Sequence, residues 1–119
     1  MTKLIGETVY SAALGKIQSA VQVHLCDTAP SSYGQVNSYS CGFSAVTSAD
    51  FTLINSTSQR RLALSSLTNI SITDTTTLTH IAFVDSTDLL AVTEHSIIAV
   101  YSGTTRNLEA VYFEMSGVI

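Results

Sequence analysis

The chain has no tryptophan, one proline and two cysteines in 119 residues, and only 12% of its residues are charged. Five Lys and Arg stand against nine Asp and Glu, a net charge of -4, and Arg60-Arg61 is the one basic pair. A phosphate-tracking surface needs a basic stripe, so direct nucleic-acid binding is not expected. Met1-Thr2-Lys3-Leu4-Ile5-Gly6 runs into Glu7, Thr8 and Tyr10 instead of an unbroken apolar stretch, so neither a secretion signal nor a membrane span is expected. No Gly-rich phosphate loop and no Gly-x-Ser-x-Gly turn is present. Cys26 and Cys41 have no Cys-x-x-Cys or histidine partner at zinc spacing and cannot complete a tetrahedral metal set. Two free thiols in a reducing compartment are expected, with a disulfide across the Pro30 and Gly34 loop as the alternative.

Hydroxyls are plentiful. The chain holds 17 Ser and 16 Thr beside 45% hydrophobic residues, so its surface is solubilised by hydroxyls more than by charge, and threonine also favours strands. With few ionic groups outside, part of the apolar excess is expected to be covered by partner subunits. The length suits a single domain over residues 1–119.

The clearest pattern is Thr79 to Glu94, where two β-rich apolar runs flank Asp85-Ser86-Thr87-Asp88 and predict a hairpin. Ile81 and Phe83 share one face of the first strand, Ala82 and Val84 the other, so both faces should be covered. Leu90 and Val92 continue the pattern against Leu89 and Ala91, which gives Ile81, Phe83, Leu90 and Val92 as expected core. Upstream, Ile5, Val9, Ala12, Ala13 and Ile17, with Leu14 beside them, recur at helical spacing and predict a helix over about residues 5–18. Ala20 to Cys26 alternates as a strand. Pro30 to about Ala49 is expected as a long, partly irregular excursion held by Tyr33, Tyr39 and Phe43. Phe51 to Ile54 and Gln59 to Leu67 read as further strands, with the two arginines at an edge or facing solvent, and Asn69 to Ile72 either extends the second or starts another. Glu94-His95-Ser96 interrupts the pattern, Ile97 to Tyr101 resumes it, Gly103 marks a turn, and Leu108 to Met115 forms a last strand. The expected fold is mainly β, an antiparallel β-sandwich of seven or eight strands in two sheets over about residues 20–116, with an N-terminal α-helix along one edge or end.

Three histidines, His24, His80 and His95, with Asp27, Asp85, Asp88 and the cysteines, supply the groups a hydrolase or a metal site would need. His24 and His80 sit on strands among apolar neighbours, where hydrogen-bonded core histidines are the simpler reading. Ser86 lies in a hairpin turn without a nucleophile's context. No enzyme activity, catalytic residue, cofactor or metal is expected. Tyr33, Tyr39 and Tyr101 near loops could stack on a glycan or host-surface ligand, a competing binding-module reading.

The blocks Val23-His24-Leu25-Cys26-Asp27-Thr28-Ala29-Pro30-Ser31-Ser32-Tyr33, Arg61-Leu62-Ala63-Leu64, Leu78-Thr79-His80-Ile81-Ala82-Phe83-Val84-Asp85 and Leu89-Leu90-Ala91-Val92-Thr93, with Tyr101-Ser102-Gly103-Thr104 after them, resemble small virion structural proteins of tailed bacteriophages. The paired arginines and the aromatic ending to Ile119 depart from that pattern. The resemblance implies a β-sandwich present in many copies on a particle assembled in the host cytoplasm. It would be a head-decorating or cementing protein, with a tail, baseplate or fibre component as the alternative. Implied partners are the major capsid protein or other virion proteins, and copies of itself, a trimer being favoured by the threefold positions of capsid surfaces. Val111, Phe113 and Met115, on one face of the last strand, are the candidate subunit contact; ordinary sheet core is the other reading of that face.

Overall fold

The computed structural model describes residues 7–55 and 59–116, with side chains described for 12–53 and 61–113. Helix α1 (Glu7–Gln18) comes first. Leu14 is fully buried and Ile17 packs beside it, while Ala12 is exposed. The stripe is therefore rotated toward Leu14, since one leucine buries far more apolar area than an alanine. Ile5 and the side chain of Val9, also expected in that stripe, lie outside the described residues. Lys16 Nζ reaches Asp85 Oδ2 at 3.3 Å and ties the helix to the hairpin turn.

Nine strands follow among the described residues: β1 (Gln22–Cys26), β2 (Ser40–Ala45), β3 (Phe51–Asn55), β4 (Gln59–Leu64), β5 (Leu67–Ser71), β6 (Thr76–Val84), β7 (Leu89–Val100), β8 (Thr105–Leu108) and β9 (Val111–Ser116). The fold is mainly β and antiparallel, with the N-terminal helix, in a sandwich-like arrangement. A four-stranded sheet runs β2-β1-β6-β7, and a three-stranded β3-β4-β9 and a two-stranded β5-β8 lie against it. The expected second sheet is thus split in two.

The long excursion after Pro30 is irregular only in short stretches. It forms α2 (Tyr33–Tyr39) and then β2. Only Val36 of α2 is buried, so no apolar period announces this helix. Packing holds it, because Val36 joins Cys26, Ala82 and Val84 on the outer face of the four-stranded sheet. This is the cover that the two apolar faces of β6 call for.

On the inner face, Ile81 and Phe83 are buried with Val23, Leu25, Phe51, Leu62, Leu64 and Leu78. The Phe83 ring meets Phe113 edge-on at 5.0 Å and Phe51 at 6.5 Å. Leu90 and Val92 are half-buried and do not share a face: Leu90 packs on the inner core and Val92 on the outer cluster. Phe83 pairs with Ala91 and Val84 with Leu89, which leaves Leu90 as a one-residue bulge that reverses the alternation. The hairpin turn is closed by Asp85, whose Oδ1 accepts from Thr87 N at 2.8 Å and Asp88 N at 2.6 Å.

Strand β4 lies at the centre of its sheet, not at an edge. Arg61 stacks over the exposed Tyr112 ring at 4.0 Å; the side chain of Arg60 lies outside the described residues, as do Ser56-Thr57-Ser58. The last expected strand starts at Val111 as β9; Leu108 instead ends an additional strand, β8, and Glu109-Ala110 lies between the two.

Gly42 marks the join between layers. A β-carbon there would stand 2.5 Å from Ser71 O, and Gly42 bridges to Ile72 while Thr73 N donates to Cys41 O at 2.8 Å. Phe83→Ala should cost about 3–5 kcal/mol in urea melts, and Gly42→Ala about 1–3 kcal/mol because backbone must give way. A Phe83→Ala variant melting with the wild type would remove β6 from the centre of the fold.

Candidate functional site

Strand β7 carries the chain's main irregularity. Leu78 pairs with Ile98 and His80 with Glu94, so His95, Ser96 and Ile97 face Thr79 alone. The break visible at Glu94-His95-Ser96 is this bulge, and β7 continues through it. His95 Nδ1 donates to Ser96 O at 2.7 Å, and Thr79 Oγ1 shares a hydrogen bond with His80 Nδ1 at 2.8 Å. A bulge twists the strand and re-aims its side chains. Here it opens a cleft on each side.

The first cleft, about 580 Å³, lies between β7 and the segment from β8 to β9. Ile81, Leu108 and Val111 supply apolar lining, and Glu94, His95, Arg106 and Glu109 supply charge and hydrogen-bonding groups. Arg106 Nε is buried with no hydrogen-bond partner among the described residues. The one ion pair among the described residues is Lys16 with Asp85, so neither carboxylate neutralises Arg106. The second cleft, about 450 Å³, is lined by Asp27, Thr28, Thr79, His80, Glu94, His95 and Ile97. It is where the Leu-Cys-Asp-Thr and Thr-His-Ile-Ala blocks meet, because β1 pairs with β6 through Leu25 to Ile81 and Cys26 to His80. These clefts offer recognition groups: a guanidinium, carboxylates, imidazoles and hydroxyls over apolar lining. Among the described residues, no three His, Cys, Asp or Glu side chains are grouped to hold a metal ion.

His24 is buried at 4% exposure, lies 2.8 Å from Ser40 Oγ and 3.0 Å from Gln22 Oε1, and stacks on Phe43. Its ring is satisfied within the sheet. Cys26 and Cys41 are buried and free. They fall in the outer and the inner cluster respectively, on opposite faces of the sheet. Burial pushes the Cys26 thiol up to about 12 and raises Cys41 as well. Val111 and Phe113 pack on the chain's own inner core; Met115's side chain lies outside the described residues. Tyr33 begins α2, Tyr39 packs on the outer cluster, and Tyr101 stands exposed after β7. No tyrosine lines either cleft. The residues unread in the sequence are Arg106 and Glu109; the only signal near them was the interruption in β7. Neither family models, curated proteins nor solved structures gave a match to this chain.

Burial lowers the His24 pKa from 6.5. The unfolded chain therefore takes up a proton at higher pH than the folded site does, and stability should be full above the ordinary histidine pKa and fall as pH drops through it. Urea melts across that range should show a decline that His24→Gln flattens; equal slopes in both proteins would contradict a buried neutral imidazole. Native Cys26 and Cys41 should resist iodoacetamide and label fully in urea, read by intact mass.

Proposed function

We propose that this chain is a many-copy structural subunit of a tailed-phage particle, a decorating or cementing protein of the head, bound to the major capsid protein or other virion proteins and to copies of itself. The observation that carries the assembly part is the open edge of the four-stranded sheet. Strand β7 is its last strand, runs for 12 residues, and presents Ile97 at 79% exposure beside the second cleft. Exposed strand edges beside apolar side chains are the places where chains add to one another. The virion part rests on the resemblance, and its two most specific blocks are neighbours in the central ladder.

A small domain of this kind can strengthen a shell with contacts of modest affinity, because symmetry repeats them and the joined sites reinforce one another. Buried thiols accord with assembly in a reducing cytoplasm. The reading assigns no chemistry to the clefts beyond recognition.

Mass spectrometry of purified particles should find the chain in many copies, and asymmetric cryo-electron microscopy should place it on the head. Density confined to the tail, baseplate or fibres would replace the head assignment with the tail one. Absence of the chain from particles would overturn the virion reading.

A further inference from the structure

We propose that the β7 edge is a twofold contact between copies of this chain, in which Arg106 of one copy pairs with Glu94 of the other across the first cleft. The inference rests on the self-association part of the reading above and selects one surface for it. The four-stranded sheet has two ends, and they differ. At β2 the edge is engaged at Cys41 and Gly42, by the bridge from Gly42 to Ile72 and by Thr73 N donating to Cys41 O, and is open beyond them at Phe43 to Ala45. At β7, no backbone hydrogen bond leaves the outer side among the described residues; its ladder is with β6 alone.

Natural edges are usually blunted by lysine, proline, a β-bulge or a covering element. Strand β7 reads Leu-Leu-Ala-Val-Thr-Glu-His-Ser-Ile-Ile-Ala-Val, with no proline, lysine or arginine, so the bulges at Leu90 and at His95 to Ile97 are its own protection. Its bulge at His95 to Ile97 leaves regular ladder on both sides, Ala91 to Glu94 and Ile98 to Val100. Ile97 is the most exposed large apolar side chain among the described residues.

Charge chooses the occupant. A surface built for a partner of one sign would carry the other sign. The first cleft instead carries a guanidinium and two carboxylates, Glu94 and Glu109, with none of them ion-paired among the described residues. Such a rim complements a copy of itself. An antiparallel pairing of two β7 edges is isologous, so it sets the two identical rims against each other, and each Arg106 meets a carboxylate of the second copy. The twofold departs from the threefold expected by analogy with capsid surfaces; it follows from the self-complementary rim.

Sedimentation velocity over a concentration series tests this on the full chain. The wild type should form a dimer that weakens with added salt. Arg106→Glu and Glu94→Arg should each raise the dissociation constant about tenfold or more, as like charges then face each other. An equimolar mixture of the two variants should dimerise again, because each mismatched pair becomes matched only across the interface. Ile97→Asp, at an exposed position, should weaken the dimer with an unchanged thermal melt, which separates lost contact from lost fold. A wild type that stays monomeric, a closed trimer, a dimer indifferent to both reversals, or a mixture that stays monomeric would overturn the proposal. An oligomer insensitive to the reversals would leave the structural-subunit reading standing; a reversal-sensitive dimer absent from particles would leave this contact and remove the virion role.

Discussion

Phe83 sits where three layers of constraint meet. Its backbone is in the ladder of β6, flanked by β1 and β7, and its ring closes the space between the two layers by touching Phe51 of β3 and Phe113 of β9. Those three rings come from strands far apart in the chain. Aromatic side chains bury more area than any others, and edge-on contacts add to that burial. The inner core is therefore organised around one residue that joins the four-stranded and three-stranded sheets, while Gly42 joins the four-stranded sheet to β5 and β8 by close backbone approach.

The central hairpin was legible because both faces of β6 are apolar and Asp85 supplies turn chemistry through two backbone hydrogen bonds. The N-terminal helix was legible from its spacing, though among its described side chains the buried one is Leu14, beside the stripe. Helix α2 was not. Its Tyr-Gly-Gln-Val-Asn-Ser-Tyr sequence has one buried side chain and weak intrinsic preference for a helix, so tertiary packing makes it. The reversal at Leu90 was also hidden, since a bulge moves a side chain from one face to the other without changing composition.

The clefts follow the same logic. The interruption at Glu94-His95-Ser96 could be seen, but its outcome could not: a loop would have ended the strand, whereas the structure continues it and opens space on both sides. Arg106 reaches this place through β8, which pairs with β5 and not with β7. Nothing local to Arg106 signals that neighbourhood. The face of Val111 and Phe113 shows the converse limit, because alternation gives the two faces of a strand and leaves open which of them the core takes.

The pairing of β4 with β9 has a consequence for how the chain comes into being. Leu62 and Leu64 find their ladder partners at Phe113 and Val111, near the other end of the sequence. Until synthesis delivers that segment, β4 has only β3 beside it, and the inner face of the sheet lacks Phe113. Contacts of such long sequence separation slow folding and lengthen the life of open intermediates. The nascent protein thus leaves Leu62 and Leu64 without these partners until β9 is made, and among the described strands β9 is the one that completes this sheet.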